Sequence, residues 1–134
     1  MRDYVFRGKR VDNGEWVEGY YVKAEKLDKS GYERFIIEEG ADGASHPVVP
    51  ESVGQYTGMK DKNGRKIFEG DIVDCWSEGV NAQGTVQQRK DGLWIIYPAW
   101  QKHIMWGLCP DEYSNTTVEV IGTVYENADL LEED

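Results

Sequence analysis

The stretch of this chain with the densest chemistry is Thr57–Val73, TGMKDKNGRKIFEGDIV. It sets glycines around a cluster of Lys, Asp, Asn and Arg, which raises a phosphate loop and a calcium loop as readings. A phosphate loop needs G-x-x-x-x-G-K-[ST] ahead of a helix. Here Gly58 and Gly64 stand one residue too far apart, Arg65 follows, and the residues beyond are strand-forming. A calcium loop opening at Asp61 would want its glycine at position six and a carboxylate at position twelve. Gly64 falls fourth and Ile72 twelfth. The stretch therefore reads as a hairpin turn at Asn63-Gly64 and a bend at Glu69-Gly70-Asp71. Gly58, Asn63, Gly64, Gly70 and Asp71 serve as a structural signature. Glu69 and Asp71 share a face of that bend, with Asp71 bonding local backbone amides in solvent.

Other reactive residues lack supporting patterns. His46, His103, Cys75 and Cys109 are scattered without the paired spacing of a zinc site. Cys75 reads as a small buried hydrophobe and Cys109 as a loop thiol, both reduced. Ser30, Ser45, Ser52, Ser77 and Ser114 sit in no nucleophile elbow. No catalytic residue, metal ligand or cofactor is assigned. An aromatic tract is more suggestive. Trp94, Tyr97, Trp100, His103 and Trp106 recur at every third position, a period that suits neither one strand face nor one helix face. Core packing is the first reading of these rings, and a protein-binding surface the second. Two basic groups, Arg7, Lys9 and Arg10 and then Lys60, Lys62, Arg65 and Lys66, lie near predicted hairpins and would form a nucleic-acid patch if those hairpins met.

The bulk properties weigh on these options. The chain has 134 residues and a net charge of −10, with a pI of about 4.6. Nucleic-acid binding draws on cations that displace counterions, so an acidic chain disfavours it. The same charge disfavours anionic membranes. The opening residues carry no apolar leader core.

The elements that must position these residues are strands. Asn13-Gly14 between Tyr4–Val11 and Trp16–Val22 reads as a type I′ hairpin, and Asn63-Gly64 as another. Asp91-Gly92 marks a third, between strands Thr85–Arg89 and Leu93–Tyr97. Tyr32–Glu38 and Val118–Tyr125 are strands. Leu27–Gly31, Glu39–Pro47 and Ser77–Gly84 read as loops. Pro47 and Pro50 confine Val48-Val49 to a short edge strand or connector. Asn127 caps a predicted helix over Ala128–Glu132. Ala99–Leu108 fits neither period. The expected fold is mainly β, with antiparallel hairpins in small sheets or an open barrel and a short C-terminal helix. It forms one domain over residues 1–134, or two subdomains dividing near 47–56.

Three blocks, FRGKRVDNGEWVEGY at Phe6–Tyr20, VGQYTGMKDKNGRKIFEGDIV at Val53–Val73 and VEVIGTVYENADLLEE at Val118–Glu133, together resemble the YopX-like family of phage and prophage proteins. The resemblance implies a β fold in a bacterial cytoplasm and supplies no catalytic residues. The resulting expectation is a non-enzymatic module that binds a host or phage protein. The alternatives are a nucleic-acid-associated module using the basic patch, or a DNA mimic that inhibits a host enzyme. Self-association is a further expectation, since short strands leave edges to cover.

Overall fold

The computed structural model describes residues 5–38, 43–77, 80–97, 106–108, 110–113 and 115–127. Among the described residues the fold is mostly β, with two antiparallel sheets and one short α-helix. Its strands are β1 (Phe6–Lys9), β2 (Trp16–Glu25), β3 (Tyr32–Ile37), β4 (Ser45–Pro47), β5 (Gly54–Lys60), β6 (Lys66–Phe68), β7 (Asp71–Ser77), β8 (Val80–Gln88), β9 (Trp94–Tyr97), β10 (Trp106–Gly107) and β11 (Glu119–Thr123), followed by α1 (Val124–Asn127). The chain divides into two compact units between Tyr56 and Thr57.

In the first unit the hydrogen-bonded order is β4-β3-β2-β1-β5. β1 and β2 pair Phe6 with Gly19 and Gly8 with Val17. Those residues face a core of Val17, Ile36 and Val48, lined by Phe6, Tyr21 and Val53. Gly8 is small because Val48 packs on it: a Cβ there would lie 2.9 Å from the valine side chain. β5 runs on past Tyr56 into the second unit, where β6 follows it in the order. The second unit also holds the sheet β10-β9-β8-β7-β11. Val73, Cys75, Val86, Ile96 and Val120 alternate onto one face and join Met59, Ile67, Leu108 and Val118 in its core. Burying each such aliphatic side chain contributes roughly 1.5–3 kcal/mol.

The hairpins form at the predicted places with a different turn chemistry. A type I′ turn needs positive φ at both central residues. In these turns only the glycines Gly14, Gly64 and Gly92 adopt it, while Asn13, Asn63 and Asp91 do not. Asp61 donates to and accepts around a three-residue loop, with Asp61 N–H to the Arg65 carbonyl (2.8 Å) and Gly64 N–H to the Asp61 carbonyl (3.0 Å). Arg89–Leu93 repeats that pattern, and Arg10–Glu15 closes a four-residue version. These are ordinary turns ended by a left-handed glycine, which the longer loops permit.

Three further expectations are corrected. Ser77–Gly84, read as a loop, contains the first half of β8, whose backbone pairs with β7 from Ile72–Thr85 to Ser77–Val80. β8 pairs with β9 through Thr85–Gln88, so over VNAQG it is the pairing with β7 that outweighs a weak strand preference. Ser45–Pro47, read as loop, is an edge strand on β3, while Val48 forms an isolated bridge to Arg10. The Val118–Tyr125 strand stops at Thr123, and the helix begins at Val124 rather than after Asn127. The Thr123 hydroxyl accepts Glu126 N–H (3.0 Å) and the Asn127 side chain accepts Thr123 N–H (3.1 Å). Thr123 thus does the capping that the Asn127 reading assigned elsewhere. The predicted helix span 128–132 lies outside the described residues.

Candidate functional site

The Thr57–Val73 signature turns out to be organised by two buried carboxylates. Asp61 is 2 % exposed. One of its oxygens accepts N–H bonds from Asn63 and Arg65, both 2.9 Å, and the other accepts Val120 N–H at 3.0 Å. Lys62 N–H donates to the Val118 carbonyl (2.8 Å), and the Thr116 N–H and hydroxyl both donate to the Lys60 carbonyl. The hairpin tip therefore covers the outer edge of β11. Edge backbone left bare is a template for unwanted pairing, so this contact has a structural purpose.

The second carboxylate is Asp71, which is fully buried and accepts Phe68 N–H at 2.8 Å. Its bonding to local backbone was expected. Its burial was not, and the exposed Glu69 does not share its environment. Gly70, at φ +89°, aims its N–H at the Val86 carbonyl and its carbonyl at Val124 N–H. Gly58, at φ +84°, lies within β5, where Thr57 bridges it by accepting Met59 N–H and donating to the Ile67 carbonyl. Each oxygen bond in this stretch holds backbone geometry, the use to which buried carboxylates with several amide donors are well suited.

The aromatic tract divides. Trp94 and Tyr97 both lie on β9, three residues apart and hence on opposite faces. Trp94 packs against the second unit's core; Tyr97 is half-buried in register with Thr85. Trp106 pairs its backbone with Ile96. Trp100 and His103 lie outside the described residues. Trp94 and Tyr97 thus point in different directions, as their three-residue spacing requires on a strand.

The basic residues are distributed between the two units. In the first, the Arg7 guanidinium is buried 4.7 Å from the Trp16 ring centroid, and the Lys9 ammonium lies 5.8 Å from it. Arg10 pairs with Asp12 at 2.7 Å, and that hydrogen-bonded carboxylate holds the guanidinium pKa up while its own is held down. In the second, Lys60 on β5, Lys62 and Arg65 in the loop that follows and Lys66 on β6 are exposed, and Lys62 lies 3.6 Å from Glu119. Among the described residues, no group of three His, Cys, Asp or Glu side chains is placed to hold a metal ion. No helix among them is long and apolar enough to cross a membrane.

One feature escaped the sequence reading. β2 runs for ten residues, and β2 and β3 stay paired from Tyr20–Ile37 out to Glu25–Tyr32. Beyond Val22 the ribbon leaves the core: residues 23–30, Tyr32 and Glu33 are all exposed. Lys26 N–H to the Gly31 carbonyl closes its tip, with Lys29 at φ +60°. Leu27 at that tip is wholly exposed. Lys23 lies over the Tyr32 ring at 4.6 Å, stiffening the stem. The available signal was the loss of apolar alternation after Val22, in a segment too polar to pack yet flanked by strand formers.

A family description, YopX protein, matches residues 5–132. The chain belongs to the YopX family. This YopX chain is also similar to the crystal structure of protein EF1440 from Enterococcus faecalis, at 22% identity over 98% of this chain and 100% of that one, with a TM-score of 0.46. Among curated proteins, none matches it. The three sequence blocks that carried the YopX resemblance are, in three dimensions, the β1–β2 hairpin, the Asp61–Asp71 stretch and β11 with α1. In the second unit of this YopX chain the latter two are joined by the Asp61–Val120 bond.

Proposed function

We propose that this YopX-family chain is a non-enzymatic β module, phage- or prophage-encoded and acting in a bacterial cytoplasm, that binds a protein through the β2–β3 arm. The observation that carries the reading is Leu27, a large aliphatic side chain wholly exposed at the end of a ribbon whose two faces are both in water. A two-stranded ribbon gains little stability by itself. An exposed leucine at its tip adds nothing to the chain's own core. A projecting two-stranded arm with an apolar tip is suited to having that tip covered by a binding partner.

The catalytic alternative draws no support from the signature, because Asp61 spends both oxygens on backbone amides. The nucleic-acid alternative would rely on Arg7, Lys9, Arg10, Lys60, Lys62, Arg65 and Lys66. Arg10 and Lys62 face carboxylates, and Arg7 is buried, so the charge offered to phosphates is reduced. The test is affinity capture from bacterial lysate with wild-type chain and Leu27→Asp, with and without nuclease. Specific protein capture that survives nuclease and is lost in the variant is expected. Capture that disappears with nuclease would transfer the reading to nucleic acid.

A further inference from the structure

The dipeptide Asn-Gly stands at two hairpin tips, Asn13-Gly14 and Asn63-Gly64, and both asparagines are exposed. Glycine carries no side chain to obstruct its own nitrogen, so this dipeptide suits intramolecular attack on the asparagine amide. In both tips the glycine N–H is engaged at 3.0 Å, from Gly14 to the Arg10 carbonyl and from Gly64 to the Asp61 carbonyl. Attack therefore waits on local opening of the tip, and the cost of opening sets the rate. That cost differs between the two. The hydrogen bonds of Asn13 and Gly14 all return to residues 10–15, and residues 11–15 are exposed throughout. The tip around Asn63 is clamped from outside. Asn63 and Arg65 N–H hold the buried Asp61 carboxylate, whose other oxygen holds Val120 N–H. The Asn63 side-chain amide reaches Glu119 at 3.4 Å, and Lys62 N–H holds the Val118 carbonyl. At Asn13, moreover, the side-chain carbonyl already accepts Glu15 N–H at 2.9 Å, a donor placed where negative charge gathers when that carbonyl is attacked.

We infer that Asn13 is a site of spontaneous covalent modification in the folded chain, and that the Asp61 clamp protects Asn63 from the same reaction. The Gly14 backbone nitrogen bonds to the Asn13 side-chain carbonyl carbon, the bond from that carbon to Nδ2 breaks, and the glycine proton leaves with the amide nitrogen as ammonia. Water then adds across one of the two carbonyl carbon–nitrogen bonds of the cyclic imide. Opening on one side gives aspartate, and on the other isoaspartate, with an extra methylene carbon in the main chain of the β1–β2 turn. Either product adds one negative charge to a chain already at −10. It also replaces the Asn13 amide that donates to the Glu15 carboxylate at 3.3 Å with a second carboxyl group. Residue 13 then stands between Asp12 and Glu15 as a third acid, with Arg10 already engaged by Asp12. The modification is independent of the β2–β3 arm and of what the arm binds.

Incubation of the full chain at mildly alkaline pH, followed by peptide mass spectrometry over time, tests the inference. A carboxyl methyltransferase that recognises isoaspartyl residues, supplied with a labelled methyl donor, detects the isomerised product. In the native chain, conversion at Asn13 is expected to run at least about tenfold ahead of Asn63, the factor that one more buried hydrogen bond to be opened would give. In urea the gap should close to within a few-fold, because the dipeptides are identical and the fold no longer separates them. Asp61→Ala should speed Asn63 in the native chain while Asn13 keeps its wild-type rate. Equal native rates at the two sites, or Asn63 ahead, overturn the inference. A gap that persists undiminished in urea also overturns it, since neighbouring residues and not the fold would then set the difference. An Asn63 rate unmoved by Asp61→Ala removes the clamp as its cause.

Discussion

Asp61 accepts the backbone N–H of Val120, fifty-nine residues further on, at 3.0 Å, while its other oxygen accepts those of Asn63 and Arg65. One carboxylate thereby shapes a hairpin tip and closes a strand edge. The arrangement needs acceptors on both sides of the group, a requirement that only a carboxylate meets at this length.

Asp61→Asn tests this directly. Asn keeps one acceptor and turns an NH2 group toward a buried N–H donor, so the variant is expected to lose about 2–3 kcal/mol, near the cost of Asp61→Ala. Urea denaturation measures it. A loss below about 0.5 kcal/mol, the range of ordinary surface changes, would show that water or relaxation replaces the bond.

Gly19 and Gly58 separate two reasons for glycine. A Cβ on Gly19 would lie 2.1 Å from the Ile37 carbonyl oxygen, which is backbone and cannot swing aside. Gly58 has open space and a φ of +84°. Gly19→Ala is therefore expected to cost on the order of 3 kcal/mol through forced displacement of the β2–β3 ribbon. Gly58→Ala should cost about 1–2 kcal/mol from backbone strain alone. Thermal melts of the two variants should differ in that order, and equal melting temperatures would refute the close approach.

Cys75 supplies a pH dependence. Burial, with a smaller contribution from Asp74, pushes its thiol up to about 11. The unfolded thiol titrates lower, so the unfolded state loses its proton first as pH rises. This part of the stability is complete below the unfolded value and fades through pH 9 to 11. In a Cys109→Ser background, the native chain should react slowly with a thiol reagent at pH 8 and lose stability toward pH 11. Rapid native labelling at pH 8 would contradict the burial.

At the β8–β9 turn, the Arg89 side chain hydrogen-bonds Asp91, whose carboxyl pKa is lowered by that bond first and by the Leu93 N–H second. NMR titration should place Asp91 below the ordinary carboxylate range, and Arg89→Ala should move it back up. The associated stabilisation is present above the unfolded pKa and is lost as pH falls through the folded one. An unchanged Asp91 titration in Arg89→Ala would remove the arginine from the account.

Much of this architecture was legible locally. Asn-Gly and Asp-Gly pairs mark hairpins because loop ends need positive φ, and glycine supplies it cheaply. Alternation at Trp16–Val22 and Val118–Thr123 marks strands because one side of each must face a core. The same rules mark the position of a turn but leave its loop length open, so Asn13-Gly14 and Asn63-Gly64 announced hairpins without disclosing three- and four-residue loops. The blocks at Phe6–Tyr20, Val53–Val73 and Val118–Glu133 were also enough to indicate the YopX family.

What only the tertiary structure decided depends on partners distant in the chain. Ser77–Gly84 looks like loop until β7 supplies backbone partners along the first half of β8. Asp61 and Asp71 look like solvent-facing acids among 25 such residues until Val120, Phe68 and the surrounding core bury them. Leu27 looks like an ordinary loop residue until β2 and β3 pair far enough to lift it clear of the core. The sequence determined where the chain turns and which faces are apolar, since those are properties of neighbouring residues. The register of non-adjacent strands determined which polar groups are buried, because burial is set by whatever the fold brings alongside.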